Sequence, residues 1–172
     1  MGPHGPGLPA GAGAGGGNRR VLITGASGGI GRAAAAELCA RGWRVFGGVR
    51  REEDAHRLRS ELGEGFTPLL LDVTDARQVE AAARETQRAL AGERLDALVN
   101  CAGITRLGPL ALMPVEALRE QFEVNLFGLF EVTRRFLPLL RAGRGPHDAP
   151  ARIVNLSSTS AKLALPFFGF YA

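Results

Sequence analysis

Residues 21–32 read Val-Leu-Ile-Thr-Gly-Ala-Ser-Gly-Gly-Ile-Gly-Arg, and this stretch decides the fold. An aliphatic run typical of a buried strand leads directly into four glycines within seven positions, and an Ala-rich helical segment follows. Gly25 permits a tight turn out of the strand, and Gly29 lets the backbone approach a ligand without a Cβ in the way. Gly31 lets the new helix pack close to the sheet.

The start of a helix that follows such a turn is suited to bind an anion. Its first N–H groups have no partner within the helix, and the helix dipole adds positive potential. Residues 29–34 also fit the pattern G-x-G-x-x-A, so the turn predicts a binding site for the diphosphate of a dinucleotide. A P-loop is excluded because no Lys-Ser/Thr pair follows the last glycine. The alternative is a Gly-rich turn without a ligand, for which four glycines would be a costly choice.

Outward from this turn, short aliphatic runs alternate with longer helical segments, which predicts βαβ units. We expect an α/β protein with a Rossmann-like, doubly wound parallel sheet and helices on both faces. The predicted strands are Val21–Ile23, Val45–Val49, Pro68–Leu71, Ala97–Val99 and Ile153–Leu156. The predicted helices are Ile30–Arg41, Glu53–Leu62, Ala76–Ala91, Pro114–Gln121 and Glu123–Arg141. Gly42 is expected to end the first helix, and Thr74 stands before the third.

The 172 residues suit one domain with a sizeable core. Residues 1–17 contain 8 of the 24 glycines and show no apolar period, so we interpret them as a flexible leader and place the domain at residues 18–172. The net charge of +4 is small and scattered, which argues against a nucleic-acid partner. Cys39 and Cys101 cannot build a disulfide framework, and no metal site is predicted. With no secretory signal and no apolar run of roughly 20 residues, we expect a cytoplasmic protein without a membrane span.

The stretch Thr24-Gly25-x-x-x-Gly29-Ile30-Gly31 resembles the cofactor turn of the short-chain dehydrogenase/reductase family. Further motifs of that family follow in order, with Cys101 in place of a second Asn. They are Leu71-Asp72-Val73, Asn100-Cys101-Ala102-Gly103, Val124-Asn125-Leu126, Ile153-Val-Asn-Leu-Ser157-Ser158 and Tyr171. The resemblance runs from about Arg20 to the end of the chain and implies an NAD(P)-dependent oxidoreductase. The cofactor-binding residues that it implies are Gly25, Ser27, Gly28, Gly29, Ile30, Gly31, Arg50, Arg51, Asp72, Val73, Asn100, Ala102 and Gly103.

The end of the second strand predicts which nicotinamide cofactor is preferred. In this fold an acidic residue binds the ribose 2′-hydroxyl of NAD, whereas an arginine accommodates the 2′-phosphate of NADP. Val49 stands where NAD-type members of the family carry Asp, and Arg50 and Arg51 follow it. Two guanidinium groups suit a dianionic phosphate, so we expect NADP(H) to be preferred over NAD(H). The acids at positions 52–54 are interpreted as first-turn residues that complement a helix dipole.

The resemblance also implies the chemistry, which is hydride transfer between a nicotinamide and a carbonyl or alcohol substrate. It makes Tyr171 the acid/base, Ser158 the donor that orients the substrate oxygen, and Asn125 the support of a water relay. A lysine four residues after the tyrosine would fall at position 175, beyond Ala172, and Lys162 is not a substitute by spacing. We therefore expect the chain to be the N-terminal portion of such an enzyme, truncated after about five strands. We also expect it to be inactive by itself, with the fifth strand as an open edge.

Two alternatives to this assignment remain. One is a non-catalytic NADP-binding module, which would have no need for Ser158 and Tyr171, and the other is a nucleotide-sugar epimerase of the extended type. The apolar segment at residues 163–170 favours a hydrophobic substrate, although core packing would explain it equally well. The family often pairs through the helix that carries Asn125, so a homo-oligomer is expected for the intact enzyme.

Overall fold

The computed structural model describes residues 19–141, 150–163, 165–169 and 171. The predicted leader at residues 1–17 lies outside the described residues. Within them, five parallel strands form one sheet in the order β3-β2-β1-β4-β5. The strands are β1 Arg20–Ile23, β2 Arg44–Val49, β3 Phe66–Leu70, β4 Ala97–Asn100 and β5 Arg152–Asn155. The predicted Rossmann-like, doubly wound fold is thereby confirmed, and its topological switch point lies between β1 and β4.

Helices connect these strands and lie on both faces of the sheet. They are α1 Gly29–Ala40, α2 Glu52–Leu62, α3 Ala76–Leu90, α4 Val115–Phe122 and α5 Leu129–Arg141. The predicted break between the last two helices is wrong, because a π-helical turn over Glu123–Gly128 joins α4 to α5 without interruption. Such turns are rare and occur often at functional sites.

The alternation of side chains along β1 and β2 divides the core into two halves. Val21 and Val45 face one side, where they pack with Leu58 of α2 and with residues of α1. Leu22 and Phe46 face the other side and pack against residues of α3 and α5. Successive side chains of a strand point to opposite faces, so a sheet covered on both sides needs apolar residues at every position.

Two local expectations are corrected by the structure. The side chain of Asp75, not of Thr74, caps α3, because Asp75 accepts hydrogen bonds from the backbone N–H groups of Arg77 and Gln78. Strand β3 begins two residues before the predicted Pro68, since Phe66 is fully buried and packs over Gly47 of β2. Pro68 is tolerated because β3 is an edge strand.

Strand β5 forms the opposite edge of the sheet, and all four of its residues are exposed. This agrees with the expected open edge. Its apolar residues Ile153 and Val154 are uncovered accordingly. Among the residues that the structure describes, no helix has both the length and the apolar character needed to cross a bilayer.

Candidate cofactor and active site

The turn between β1 and α1 requires glycine at two positions. Gly25 has φ of +67°, and a Cβ on it would lie 2.9 Å from the Cα of Ala102 in the segment after β4. A Cβ on Gly31 would overlap the carbonyl oxygen of Gly25. Both residues let backbone segments approach closely, and together they fix the turn at the switch point.

The start of α1 is open on the side away from the sheet. Gly28 is the N-cap residue and offers no side chain to the first N–H groups of the helix. A Cβ at Gly28 or at Gly29 would meet nothing within 4 Å, and Ile30 is exposed. Amides at the start of the helix, positive dipole potential and open space occur together here, so this turn fits a diphosphate.

Thr24 fastens the turn to the next strand of the sheet. Its hydroxyl oxygen accepts hydrogen bonds from the backbone N–H groups of Cys101 and Ala102, each at 3.0 Å, and its own N–H donates to Val99. Thr24 is buried, so its hydroxyl makes these hydrogen bonds away from bulk water. This role of Thr24 was not predicted from the sequence, although the residue belongs to the glycine motif. A polar β-branched residue at the end of an otherwise aliphatic strand was the available signal.

Cys101, the departure from the family motif, lies against the same turn. Burial raises the pKa of the Cys101 thiol, and the N–H of Gly31, which donates to its sulfur, offsets part of that rise. The thiol is therefore protonated at neutral pH and serves as a packing group beneath the helix start.

A cavity of about 360 Å³ lies where the adenosine ribose is bound in this fold, and its lining residues are Ser27, Arg50, Arg51 and Asp54. Arg50 is exposed at the end of β2. The Nε atom of Arg51 donates to Oδ2 of Asp54 at 2.9 Å. Hydrogen bonds from Arg51 and then Arg57 hold the pKa of Asp54 below its usual value, so this carboxylate is ionised. The acids at 52–54 form the first turn of α2, as predicted.

The segment after β3, which contains Asp72, Val73 and Thr74, lies at the same carboxyl-terminal edge of the sheet. Oδ1 of Asp72 accepts hydrogen bonds from the backbone N–H and the hydroxyl of Thr74, so the carboxylate shapes its own turn. Val73 packs tightly against Gly128. A Cβ added to Gly128 would lie only 2.7 Å from the side chain of Val73. Asp72 and Val73 are thus brought next to the π-helical turn.

The motif after β4 divides between the interior and the surface. Asn100 is only 3% exposed, and its Nδ2 donates to Thr133 of α5 and to Asn155 of β5. Its Oδ1 is buried without a partner among the described residues. This side chain links β4, β5 and α5, whereas Ala102 lies beneath Gly25 and Gly103 is exposed.

Asn125 lies in the π-helical turn and is hydrogen bonded to the segment after β4. Its Oδ1 accepts from the N–H of Ile104 at 2.9 Å, and its Nδ2 donates to the carbonyl oxygen of the same residue at 2.8 Å. This paired contact holds the helix against the loop that contains Gly103, whose added Cβ would lie 3.4 Å from the same Oδ1.

The contacts found for Ser158 and Tyr171 are local. Oγ of Ser158 accepts a hydrogen bond from the N–H of Ser160, just beyond β5. The Tyr171 ring is half-buried and tilts against Phe168, with 6.3 Å between the ring centroids. The structure thus gathers the glycine turn, the two arginines and the segments after β3 and β4 at one edge of the sheet. Ser158 follows the carboxyl end of β5 at that same edge.

Comparisons with known proteins agree with this architecture. The family model described as short chain dehydrogenase matches residues 19–172. A relative named NADPH-dependent 3-dehydrocapnine reductase, from Ornithobacterium rhinotracheale, is 35% identical over 154 residues, which cover 90% of this chain and 54% of the relative. Retinol dehydrogenase 7 from Rattus norvegicus is 35% identical over 149 residues, which cover 86% of this chain and 45% of that relative. The crystal structure of a short-chain dehydrogenase from Streptomyces avermitilis superposes with a TM-score of 0.79 and 33% identity, covering 90% and 54%.

The sheet order and the glycine turn define a dinucleotide-binding α/β protein. The chain belongs to the short-chain dehydrogenase family, whose members use a nicotinamide cofactor. It spans about half the length of the curated relatives it matches.

Proposed function

We propose that this chain binds NADP(H) in preference to NAD(H), and that the whole protein is an oxidoreductase that transfers hydride between nicotinamide and a carbonyl or alcohol substrate. The residues that line the ribose cavity are the observation that supports this cofactor preference. Arg50 and Arg51 line it, and the one carboxylate in its lining, Asp54, is already hydrogen bonded to arginines. An added 2′-phosphate would gain charge-assisted hydrogen bonds there, whereas a 2′-hydroxyl would meet a carboxylate that two arginines already engage.

The residues of the glycine turn would hold the rest of the nucleotide. The first amides of α1 are placed to bind the diphosphate, and the open space at Gly28 and Gly29 admits it without a clash. The relative from Ornithobacterium rhinotracheale is named for its dependence on NADPH, which supports the same preference.

In the whole protein, the nicotinamide would supply or accept the hydride, and this chain would handle the substrate oxygen. Tyr171 would transfer the proton, because its phenol can both donate and accept one. Ser158 would orient the substrate oxygen by a hydrogen bond, and Asn125 would keep the π-helical turn in place beside the site. Because a binding module needs neither Ser158 nor Tyr171, their presence favours the enzyme over a non-catalytic module.

We propose an apolar substrate for the whole protein. Two segments near this edge expose leucine and phenylalanine side chains, and they are joined by a hydrogen bond from the N–H of Gly108 to the carbonyl of Phe167. The exposed residues are Leu107, Leu110, Leu112, Leu163, Leu165 and Phe167. One relative is named for retinol, which is an apolar alcohol.

We also propose that the whole protein pairs with a second copy of itself through the helix that contains Asn125. Phe122, Leu126, Phe127 and Phe130 are between 46% and 63% exposed along the end of α4, the π-helical turn and the start of α5. Phe127→Glu would place a charge in the middle of this apolar row, and sedimentation velocity should then show monomer where the unaltered protein shows dimer. A monomeric unaltered protein would refute the pairing.

The direct test of the cofactor proposal is calorimetric titration of the 172-residue chain with NADPH and with NADH. We expect tighter binding of NADPH, and the difference should shrink as salt is added because it depends on charge. Equal or tighter binding of NADH would refute the preference. The absence of any response to NADPH at millimolar concentration would refute the cofactor site.

A further inference from the structure

Arg57 of α2 links two walls of the ribose cavity. Its Nη2 atom donates to Oδ1 of Asp54 at 2.8 Å and to the carbonyl oxygen of Ser27 at 3.3 Å. Ser27 and Asp54 both line the cavity, so one guanidinium joins the phosphate-binding turn to the first turn of α2.

Both carboxylate oxygens of Asp54 are occupied by arginines. Arg51 donates to Oδ2 and Arg57 to Oδ1, while the Asp54 side chain remains only 6% exposed as a residue. A carboxylate at the end of the second strand of this fold ordinarily accepts the ribose 2′-hydroxyl. Here the carboxylate of Asp54, which lines the cavity, already accepts one arginine hydrogen bond on each oxygen, and these compete with a ribose hydroxyl. Arg50, Arg51 and Arg57 together contribute three positive charges against the one negative charge of Asp54.

A further ion pair fixes the orientation of Arg57. Its Nη1 lies 3.5 Å from Oε1 of Glu61, and Oε2 of Glu61 accepts from Arg32 of α1 at 2.8 Å. This alternating chain runs from α1 to the cavity. It holds the Arg57 guanidinium in place before a ligand arrives, which lowers the entropy that binding costs.

We propose that Arg57 is a positioning residue that determines the selectivity for a 2′-phosphate. Its guanidinium donates hydrogen bonds to the carboxylate of Asp54 and to the carbonyl oxygen of Ser27. The inference rests on the proposed function, since it explains a preference for NADP(H). Removing Arg57 has two consequences. One positive charge beside the cavity is lost, and Oδ1 of Asp54 loses its arginine partner, so it can repel a phosphate or accept a hydrogen bond from a hydroxyl.

The test uses the 172-residue chain and two probes that differ only in the 2′-phosphate, namely 2′,5′-ADP and 5′-AMP. For Arg57→Met, which keeps the aliphatic stem and removes the donors, we expect the affinity ratio of the two probes to fall about tenfold or more. Affinity for 5′-AMP should stay the same or rise. The matched control is Arg84→Met, which removes an exposed arginine of α3 that is paired with Glu80. It should leave the ratio unchanged.

A second variant separates this role from general support of the fold. In Asp54→Asn/Arg57→Met the carboxylate of Asp54 is also removed. We therefore expect the affinity ratio of 2′,5′-ADP to 5′-AMP to recover in part. A purely structural role of Arg57 would not give this recovery. A ratio that is unchanged in Arg57→Met, or no recovery in the double variant, would overturn the inference.

If Arg57→Met does not fold, Arg57→Lys is measured instead. Lysine keeps the charge but cannot bind the Ser27 carbonyl and the Asp54 carboxylate in the same geometry. An unchanged ratio in Arg57→Lys would then overturn the inference. If the unaltered chain shows no preference for 2′,5′-ADP, the proposed cofactor preference fails, whatever the variants show.

Discussion

The hydroxyl oxygen of Thr24 lies 3.0 Å from the backbone nitrogen of Ala102, 78 positions further along the chain. The hydrogen bond joins the end of β1 to the segment after β4, across the switch point of the sheet. Thr24→Val keeps the shape of the side chain but leaves the partly buried N–H groups of Cys101 and Ala102 without this acceptor. We expect a loss of about 1–3 kcal/mol in the free energy of unfolding, measured by urea denaturation.

Thr24→Ser is the control for this prediction, since it retains the oxygen and removes only a methyl group. It should cost less than Thr24→Val. If the two variants were equally stable, the hydrogen bonds of Thr24 would not be the reason for its presence.

The glycine turn allows a comparison of two alanine substitutions only three positions apart. In Gly31→Ala the new Cβ overlaps the carbonyl oxygen of Gly25, so the turn must move and NADPH binding should be lost. In Gly28→Ala the new Cβ meets nothing within 4 Å, and φ of −156° suits any residue. We expect Gly28→Ala to melt within about 1 °C of the unaltered chain, and Gly31→Ala to melt clearly lower. Scanning calorimetry with and without NADPH measures both effects, and equal behaviour of the two variants would contradict this geometry.

Arg50 should affect the phosphorylated cofactor alone. Arg50→Ala removes an exposed guanidinium from the ribose cavity, so we expect NADPH to bind about ten- to a hundredfold more weakly, while NADH affinity changes less than about twofold. Arg119→Ala, at an exposed position of α4, is the control for the loss of one positive charge. Similar weakening of both cofactors by Arg50→Ala would show that this residue does not contact the 2′-phosphate.

The cap of α3 should give the stability of the chain a specific dependence on pH. Hydrogen bonds from the N–H groups of Arg77 and then Gln78 lower the pKa of Asp75 in the folded chain. The folded state therefore gains stability from ionised Asp75 above its unfolded pKa of about 4, and loses that gain as the pH falls through the lower folded value. Asn at this position caps without titrating.

We accordingly expect the unaltered chain to melt at a higher temperature than Asp75→Asn at pH 7. The difference between the two melting temperatures should close as the pH is lowered below about 4. Thermal melts of both chains across this range provide the measurement. A difference that does not change with pH would contradict the assigned role of the ionised cap.

For the whole protein, Tyr171→Phe should remove the phenol that we propose transfers the proton, and keep the ring that packs against Phe168. We expect turnover to fall about 10²- to 10⁴-fold, with NADPH affinity unchanged. Steady-state rates and cofactor titration separate these two effects. Turnover close to that of the unaltered protein would exclude Tyr171 as the acid/base.

Most of the fold could be predicted because its signals are local. The glycines at 25–31 and the short runs of three to five mostly apolar residues specify βαβ units, and few topologies are compatible with them. The family and the doubly wound sheet are confirmed on this basis.

What was missed depends on contacts that the sequence does not reveal. The partners of Thr24 and Asn125 are backbone groups of distant segments, so no spacing rule identifies them. Arg57 escaped attention although it lies three positions after Asp54, a spacing that brings side chains together on a helix. The roles of Ser158 and Tyr171 remain predictions, because their observed contacts are with neighbouring residues.

The π-helical turn at Glu123–Gly128 has a consequence for the rotation of the helix that follows it. Such a turn is equivalent to one additional residue in a regular helix, and each residue of an α-helix corresponds to a rotation of about 100°. Without that residue, Val132 and Phe136 would no longer face the sheet, where both are fully buried. The additional residue therefore sets the angular phase of α5 relative to α4, and deleting one residue from this turn would move two central packing groups toward water.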